Sequence, residues 1–238
     1  MSADRYYNIL DQTWPAARTF HIEGWVVRQG LGGGSRVSAA TATSPDADPA
    51  LMEDAQAGLN QVAVVRVQSG DEAIDARLAQ QGYIKRDETI LMEAPVAKIA
   101  APPPPVTAFT VAWPPLFVQT ELWADHGIKA PRIAVMARAA NPKCTLLGRL
   151  HDQIAGTGFV ACTGEIAMAH AIEVHPDFRR QNLARNMMRA AAIWAQDQGA
   201  RRLCVAVTHA NTGARALYAS LGMRTVGHYH YREKPHTT

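Results

Sequence analysis

The chain is poor in the residues that build disulfide or zinc frameworks. Among its 238 residues it has three cysteines, Cys144, Cys162 and Cys204, and no Cys-x-x-Cys pair. An odd number of scattered cysteines argues against a disulfide framework and gives no zinc-binding spacing. We therefore expect chemistry that uses neither a disulfide nor a bound metal.

Long apolar runs and a strong excess of one charge are also missing. No stretch is long enough to span a bilayer, and the first residues lack the apolar segment of a signal peptide. The 24 Lys+Arg residues exceed the 21 Asp+Glu residues by only three, which does not indicate a nucleic-acid partner. With 47% hydrophobic residues, the chain can bury a substantial core. We expect a cytoplasmic protein that binds neither membrane nor nucleic acid.

A proline-rich segment divides the chain. Four consecutive prolines occupy positions 102–105, and such a run favours a stiff, extended spacer that cannot continue a helix or a central strand. We predict a linker over residues 98–106. It separates an N-terminal domain, residues 1–97, from a C-terminal domain, residues 107–238.

The two parts share a pattern with a constant offset. Three pairs of residues lie 140 positions apart: Asp71 and Asn211, Leu78 and Tyr218, and Gly82 and Gly222. Each set follows a strand-like run and spans a helical one, so the pattern predicts a tandem repeat with a truncated first copy. The acidic segment 43–49 stands where the second copy has a basic loop, and acidic groups repel phosphates. We expect the first copy to be non-catalytic.

A glycine-rich run, Gly30-Leu-Gly-Gly-Gly-Ser-Arg36, allows two interpretations. A phosphate-binding loop of the Walker type needs Gly-Lys-Ser/Thr, and the dinucleotide-binding type needs a helix after the glycines. The flanking segments 25–28 and 36–41 both look strand-like. We therefore predict a glycine-rich hairpin turn.

Apolar periodicity in the C-terminal part predicts a mixed α/β (α+β) sheet. The predicted strands are 107–112, near 132–138, 145–150, 153–161, 165–175, 202–208 and 223–231. The predicted helices are 116–127, 182–198 and 212–221.

The most informative segment is a strand, loop and helix over residues 172–189. Its loop has the form Arg-x-x-Asn-x-Ala from Arg179 to Ala184. The unpaired backbone N–H groups and the dipole at a helix N-terminus favour a phosphate there. Asn182 tolerates the left-handed backbone that such a turn needs, and it is also a preferred helix N-cap, so both interpretations stay open.

This loop resembles the acetyl-CoA loop of the GNAT superfamily of N-acetyltransferases, Gln/Arg-x-x-Gly-x-Gly/Ala, with Asn182 in place of a glycine. The run from Asn211 to Met223 is similar to the family's Asn-x-x-Ala-x-x-Leu-Tyr-x-x-x-Gly-Phe signature. The resemblance covers about residues 107–231 and implies a mostly antiparallel GNAT-like sheet flanked by helices, with acetyl-CoA as cosubstrate. The cofactor-binding residues it implies are Val174, His175, Arg179, Arg180, Gln181, Asn182, Leu183, Ala184, Arg185 and Asn211.

The resemblance also implies two catalytic residues. Tyr218 occupies the family position of the phenol that protonates the CoA thiolate; a core tyrosine is the alternative. The run 167–175 resembles a strand of arylalkylamine N-acetyltransferases, which makes His170 a candidate base, and a buried, hydrogen-bonded histidine is an equal alternative. Strict alternation along this strand predicts that Glu173 points away from His170.

The resemblance implies an acyltransferase that moves an acetyl group from acetyl-CoA directly to a primary amine of a small molecule. Two alternatives are a non-catalytic acyl-CoA-binding module and an enzyme that acetylates a protein N-terminus or lysine. The sequence leaves open the acceptor and the choice between a monomer and a homodimer.

Overall fold

The computed structural model describes residues 3–235. Its helices are α1 (Asp4–Thr13), α2 (Ser35–Ser38), α3 (Pro49–Gly58), α4 (Glu72–Gln80), α5 (Val96–Ala100), α6 (Phe117–Asp125), α7 (Ala130–Arg138), α8 (Leu183–Asp197) and α9 (Thr212–Ser220). Its strands are β1 (Arg18–Ile22), β2 (Trp25–Gln29), β3 (Thr41–Ala42), β4 (Val64–Gln68), β5 (Ile84–Pro95), β6 (Ala108–Ala112), β7 (Lys143–Leu150), β8 (Gln153–Thr163), β9 (Ile166–Val174), β10 (Arg202–Thr208) and β11 (Arg224–Glu233). Within this range no helix combines the length and the hydropathy needed to cross a membrane.

Eight strands form one large sheet in the order β4-β11-β5-β10-β9-β8-β7-β6, and β1, β2 and β3 form a small second sheet. In the large sheet only the β9–β10 pairing is parallel. The predicted mixed, mostly antiparallel sheet flanked by helices is therefore confirmed.

The N-terminal part of the chain contributes the edge strand β4 and the interior strand β5 to this sheet. Strand β5 lies between β10 and β11, and β11 lies between β4 and β5. Each part of the chain thus places its last strand between two strands of the other part. One sheet therefore contains strands from both sides of the proline-rich segment. Local composition did not predict this, because strand pairing joins residues that are far apart in the chain.

The boundaries around the prolines differ from the prediction. Helix α5 covers residues 96–100, and its Ile99 is fully buried. The extended segment therefore begins at Ala101 instead of residue 98. Residues 96–100 remain helical because Val96 and Ile99 pack into the core.

Two structured layers cover the sheet. Helices α5, α8 and α9 pack on one face, and α1 packs with parts of α6 and α7 on the other. Helix α8 can lie close to the sheet because Gly148 and Gly156 have no side chain. A Cβ on Gly156 would be 2.6 Å from the Met187 sulfur, and one on Gly148 would be 2.9 Å from Leu183 Cδ1. These two glycines fix the height of α8, and with it the position of its N-terminus.

The predicted strand near 132–138 is wrong, because residues 130–138 form helix α7. Val135 and Met136 are buried, and Pro131 lies in the first turn, where it needs no hydrogen-bond donor. The Lys143 ammonium donates hydrogen bonds to the carbonyls of Met136, Ala137 and Ala139 at 3.2, 2.6 and 2.6 Å. This side chain satisfies the exposed carbonyls at the end of α7.

The predicted glycine-rich hairpin turn is also wrong. After β2 the chain passes through the glycines into helix α2, and β2 pairs only later with β3. The glycines serve close packing: a Cβ on Gly33 would be 2.7 Å from methyl carbons of both Val37 and Val135. The run therefore brings the start of α2 against α7.

Candidate active site

The candidate site lies where β9 and β10 part. Their parallel pairing runs from Ile166↔Arg202 to Ala169↔Val205 and then ends. A cavity of about 410 Å³ opens beyond this point, lined by residues 169–173 of β9 and 206–208 of β10. A gap between two strands exposes backbone groups that are otherwise paired, so it provides hydrogen-bond partners for a ligand.

The cavity has walls from both faces of the sheet. Ala214 and Tyr218 of α9, with its N-cap Asn211, line it on the face that carries α8. Trp14, the segment Gly33–Arg36, Arg132, Tyr229 and Tyr231 line it on the opposite face. Two ligands that approach from opposite faces can therefore meet in the gap between β9 and β10.

The loop before α8 has the backbone of an anion site. Asn182 takes the left-handed conformation, with φ 62° and ψ 7°, and its side chain does not cap the helix. The left-handed conformation is as expected, and the side-chain N-cap is not formed. Arg180 is also left-handed, with φ 63°. In residues 3–235 the backbone N–H groups of residues 180–185 have no hydrogen-bond acceptor, so they remain available to a ligand.

The other residues expected at the cofactor lie around this loop. The Arg179 Nε donates to the Val174 carbonyl at 3.1 Å, and the Arg185 guanidinium donates to Ser220 Oγ at 2.8 Å. The His175 ring packs edge-on against Phe178. The Gln181 side chain forms hydrogen bonds with the His151 ring and the Asp177 carbonyl. Leu183 is buried against Gly148 and Gly156.

Val174 and His175 lie beside the cavity and do not line it. Ala184 is half-buried in the first turn of α8. Asn211 both caps α9, accepting from the Ala214 N–H at 3.0 Å, and lines the cavity.

Tyr218 is buried in the cavity wall and is 7% exposed. Burial, and then the charge of Glu173, raises the pKa of Tyr218 to about 12. The phenol therefore keeps its proton at neutral pH and can act as a proton donor.

His170 is buried between aromatic rings, 5.0 Å from the Trp14 ring and 6.2 Å from the Phe159 ring. The Thr13 hydroxyl donates to the Ile9 carbonyl at 2.7 Å, so its oxygen accepts the His170 Nε2–H at 2.9 Å. His170 Nδ1 has no hydrogen-bond partner in residues 3–235. Burial, and then the charge of Arg36, holds the pKa of His170 well below its ordinary value.

Glu173 faces the cavity together with His170, contrary to the prediction. Thr157 pairs with Glu173, but Phe159 pairs with His170, so β9 has an extra residue at this point. Ala171 has φ 51° in this bulge. The bulge reverses the alternation of side chains, which places Glu173 on the side of His170. Burial raises the pKa of the Glu173 carboxyl, and His126, Arg179 and Arg132 oppose this effect.

Sequence reasoning missed Trp14, Arg36 and Arg132, which line the cavity from the face opposite α8. Trp14 and Arg36 come from the part of the chain expected to be non-catalytic. Arg36 ends the glycine-rich run, so that run was the one available signal, but the turn interpretation gave it no chemical role.

Comparison with known proteins identifies the family. Residues 106–223 match the acetyltransferase (GNAT) family. This segment of the chain belongs to the GNAT superfamily of N-acetyltransferases. The cavity, the loop before α8 and Tyr218 all involve this GNAT segment, while β5 and Arg36 come from outside it.

The whole chain also has relatives of similar length. It is 23% identical over 236 residues to the uncharacterized N-acetyltransferase YobR of Bacillus subtilis (strain 168), covering 93% of this chain and 94% of that protein. A GCN5-related N-acetyltransferase from Kribbella flavida has a similar structure, with a TM-score of 0.73 and 16% identity over 99% of this chain and 96% of that one. A tandem GNAT protein from the clavulanic acid biosynthesis pathway has a TM-score of 0.60 and 14% identity over 96% of this chain and 86% of that one.

Proposed function

We propose that this GNAT protein transfers an acetyl group from acetyl-CoA directly to the primary amine of a small molecule, at one active site. The observation that carries the proposal is the cavity between β9 and β10, which polar side chains line and which β9 connects to the loop with unpaired N–H groups before α8. This geometry brings a donor and an acceptor together in one place.

The loop at residues 179–185 fits the diphosphate of CoA. Its N–H groups are unpaired in the described chain, and Arg179, Arg180 and Arg185 add positive charge. Asn182 has the left-handed backbone conformation that a glycine adopts readily. When bound, acetyl-CoA supplies a thioester carbonyl that accepts the amine nitrogen. We assign its binding to Arg179, Arg180, Gln181, Asn182, Leu183, Ala184 and Arg185, with Val174, His175 and Asn211 beside its pantetheine arm.

Glu173 is the residue we assign as general base, in preference to His170. Its carboxylate lines the cavity and, with its raised pKa, is a stronger base than an ordinary glutamate. His170 has a lowered pKa, and its Nε2–H is already donated to Thr13. Glu173 takes one proton from the acceptor nitrogen as the N–C bond forms.

Tyr218 is the residue we assign as general acid. Its phenol gives a proton to the sulfur as the C–S bond breaks, and the proton held by Glu173 returns to the phenolate through solvent. The products are an amide and a thiol, so atoms and charge balance without a covalent enzyme intermediate. Glu173 and Tyr218 line the same cavity, and the charge of Glu173 contributes to the raised pKa of Tyr218, which supports their action at one site.

We propose further that residues 1–97 and 107–238 are two copies of one GNAT-like unit, joined by the linker, and that the first copy has lost its chemistry. The reciprocal placement of β5 and β11 supports this, as does the constant offset of 140 residues between Leu78 and Tyr218. On this proposal the first copy provides a wall of the acceptor site in place of a second centre.

Calorimetric titration with acetyl-CoA followed by a CoA-release assay tests the function. We expect saturable binding and turnover of at least one small amine. Tight binding without turnover on any amine or peptide indicates the acyl-CoA-binding module instead. Turnover restricted to peptides indicates the protein acetyltransferase.

A further inference from the structure

The cavity contains a positive charge that no acidic side chain neutralises. Arg36 lines it, and no ion pair of Arg36 occurs within residues 3–235. The neighbouring Arg28 and Arg66 differ, because both pair with Asp11, at 2.9 and 2.7 Å. Of these three arginines only Arg36 lines the cavity.

The surroundings of Arg36 are apolar and aromatic. Its guanidinium carbon lies 5.8 Å from the centre of the Trp14 ring, and the phenols of Tyr229 and Tyr231 lie beside it. Burial lowers the pKa of Arg36, but the phenols of Tyr229 and Tyr231 outweigh this effect and raise it on balance, so the guanidinium stays charged. A planar guanidinium makes bidentate hydrogen bonds best to a carboxylate, so a carboxylate is the anion that suits this wall of the cavity.

A second arginine lies on the same wall. The Arg132 guanidinium is 3.5 Å from the place where a Cβ on Gly34 would lie, two residues from Arg36. The close packing of Gly33 on Val135 holds α7 and its Arg132 at this position. Arg132 is exposed at the cavity mouth, where its charge attracts an anion.

Within residues 3–235 neither acidic side chain of the cavity forms an ion pair with Arg36, although the charge of Arg132 acts on Glu173 and opposes the rise that burial causes in the pKa of that carboxyl. Glu173 is on β9 beside Tyr218, and Asp87 is exposed at the rim on β5. His170 also lines the cavity, and its Nδ1 has no hydrogen-bond partner within residues 3–235. The cavity thus holds a carboxylate on β9 together with two guanidinium groups, that of Arg36 on α2 and that of Arg132 on α7.

We propose that the acceptor is an amine that also carries a carboxylate, as an amino acid does, and that Arg36 binds this carboxylate while the amine faces Glu173. This rests on the proposed function and specifies its substrate class. Arg132 acts as a second cationic contact at the mouth.

The test compares amines in matched pairs in a CoA-release assay: phenylalanine with 2-phenylethylamine, methionine with 3-(methylthio)propylamine, and β-alanine with ethylamine. We expect the acid of at least one pair to have a kcat/KM about tenfold to a hundredfold above that of its partner, the range for a charge-assisted hydrogen-bonded pair. Equal or reversed values in every pair, or a preference for phosphoethanolamine over all the acids, would overturn the proposal.

The variant Arg36→Met should reduce the preference within a pair to about one. Arg36→Lys, which keeps the charge without the fork, should retain part of the preference. Arg18→Met, an exposed arginine of β1, is the matched control and should keep the wild-type ratio. A preference that survives Arg36→Met in a folded protein contradicts the role of Arg36. If that variant does not fold, the Arg36→Lys ratio and the wild-type pairs decide.

Failure of the proposed function gives a different result. A protein that binds no acetyl-CoA in calorimetry and turns over no amine refutes the acetyltransferase itself. A protein that binds acetyl-CoA and acetylates amines without regard to their carboxylates refutes only the inference about the acceptor.

Discussion

Replacement of Glu173 by glutamine should separate catalysis from folding at this site. Glutamine keeps the size of the side chain and a hydrogen-bonding oxygen but cannot accept the proton of the acceptor nitrogen. A positioned general base contributes about 10²- to 10⁴-fold to a rate. We therefore expect kcat/KM to fall within that range, while the affinity for acetyl-CoA, measured by calorimetry, stays near the wild-type value.

The pH dependence gives the same assignment an independent test. Wild-type activity requires ionised Glu173, so it should rise with pH through a midpoint above the ordinary carboxyl pKa, because burial raises the pKa of this group. Glu173→Gln should remove this acidic limb. If His170 were the base, the limb would persist in Glu173→Gln and disappear in His170→Asn.

A measurement of thermal stability tests whether unfolding causes the loss of activity in Glu173→Gln. Because its pKa is raised in the native state, folded Glu173 holds its proton more tightly than the unfolded chain does. The free energy of unfolding therefore falls as pH rises from the ordinary carboxyl pKa through the raised one. Glu173→Gln lacks this fall, so its Tm should match the wild type in acid and equal or exceed it at pH 7. Glu121→Gln, an exposed carboxylate of α6, is the control and should change neither activity nor Tm. Full activity in Glu173→Gln would refute the reasoning.

Three further substitutions test the site and the end of helix α7. Tyr218→Phe should lower kcat by about 10²-fold or more, the effect of a lost general acid, with little change in the Kd of acetyl-CoA; unchanged turnover removes Tyr218 from the mechanism. Asn182→Gly keeps the left-handed backbone, so calorimetry should give an acetyl-CoA affinity equal to or above the wild type, and a tenfold loss would mean that the amide side chain contacts the ligand. Lys143→Met removes the donor to three carbonyls at the end of α7 and should lower the free energy of unfolding in urea by about 1–3 kcal/mol; an unchanged midpoint would show that solvent satisfies those carbonyls equally well.

The sequence by itself determined the elements whose signals are local. Apolar periodicity and turn residues predicted β10, α9 and the loop before α8 to within a residue or two. The left-handed Asn182 and the capping by Asn211 follow from the same short-range preferences. Such features depend on residues close together in the chain, so a linear pattern is sufficient to find them.

Only the tertiary structure decided which side chains meet. The orientation of Glu173 depends on one extra residue at Ala171, a bulge that alternation cannot reveal. Arg36 enters the site because Gly33 packs against α7, about a hundred residues further along the chain. The exchange of β5 and β11 joins both parts of the chain in one sheet. These contacts bring distant segments together through packing and strand pairing, and their energies do not appear in any short stretch of sequence.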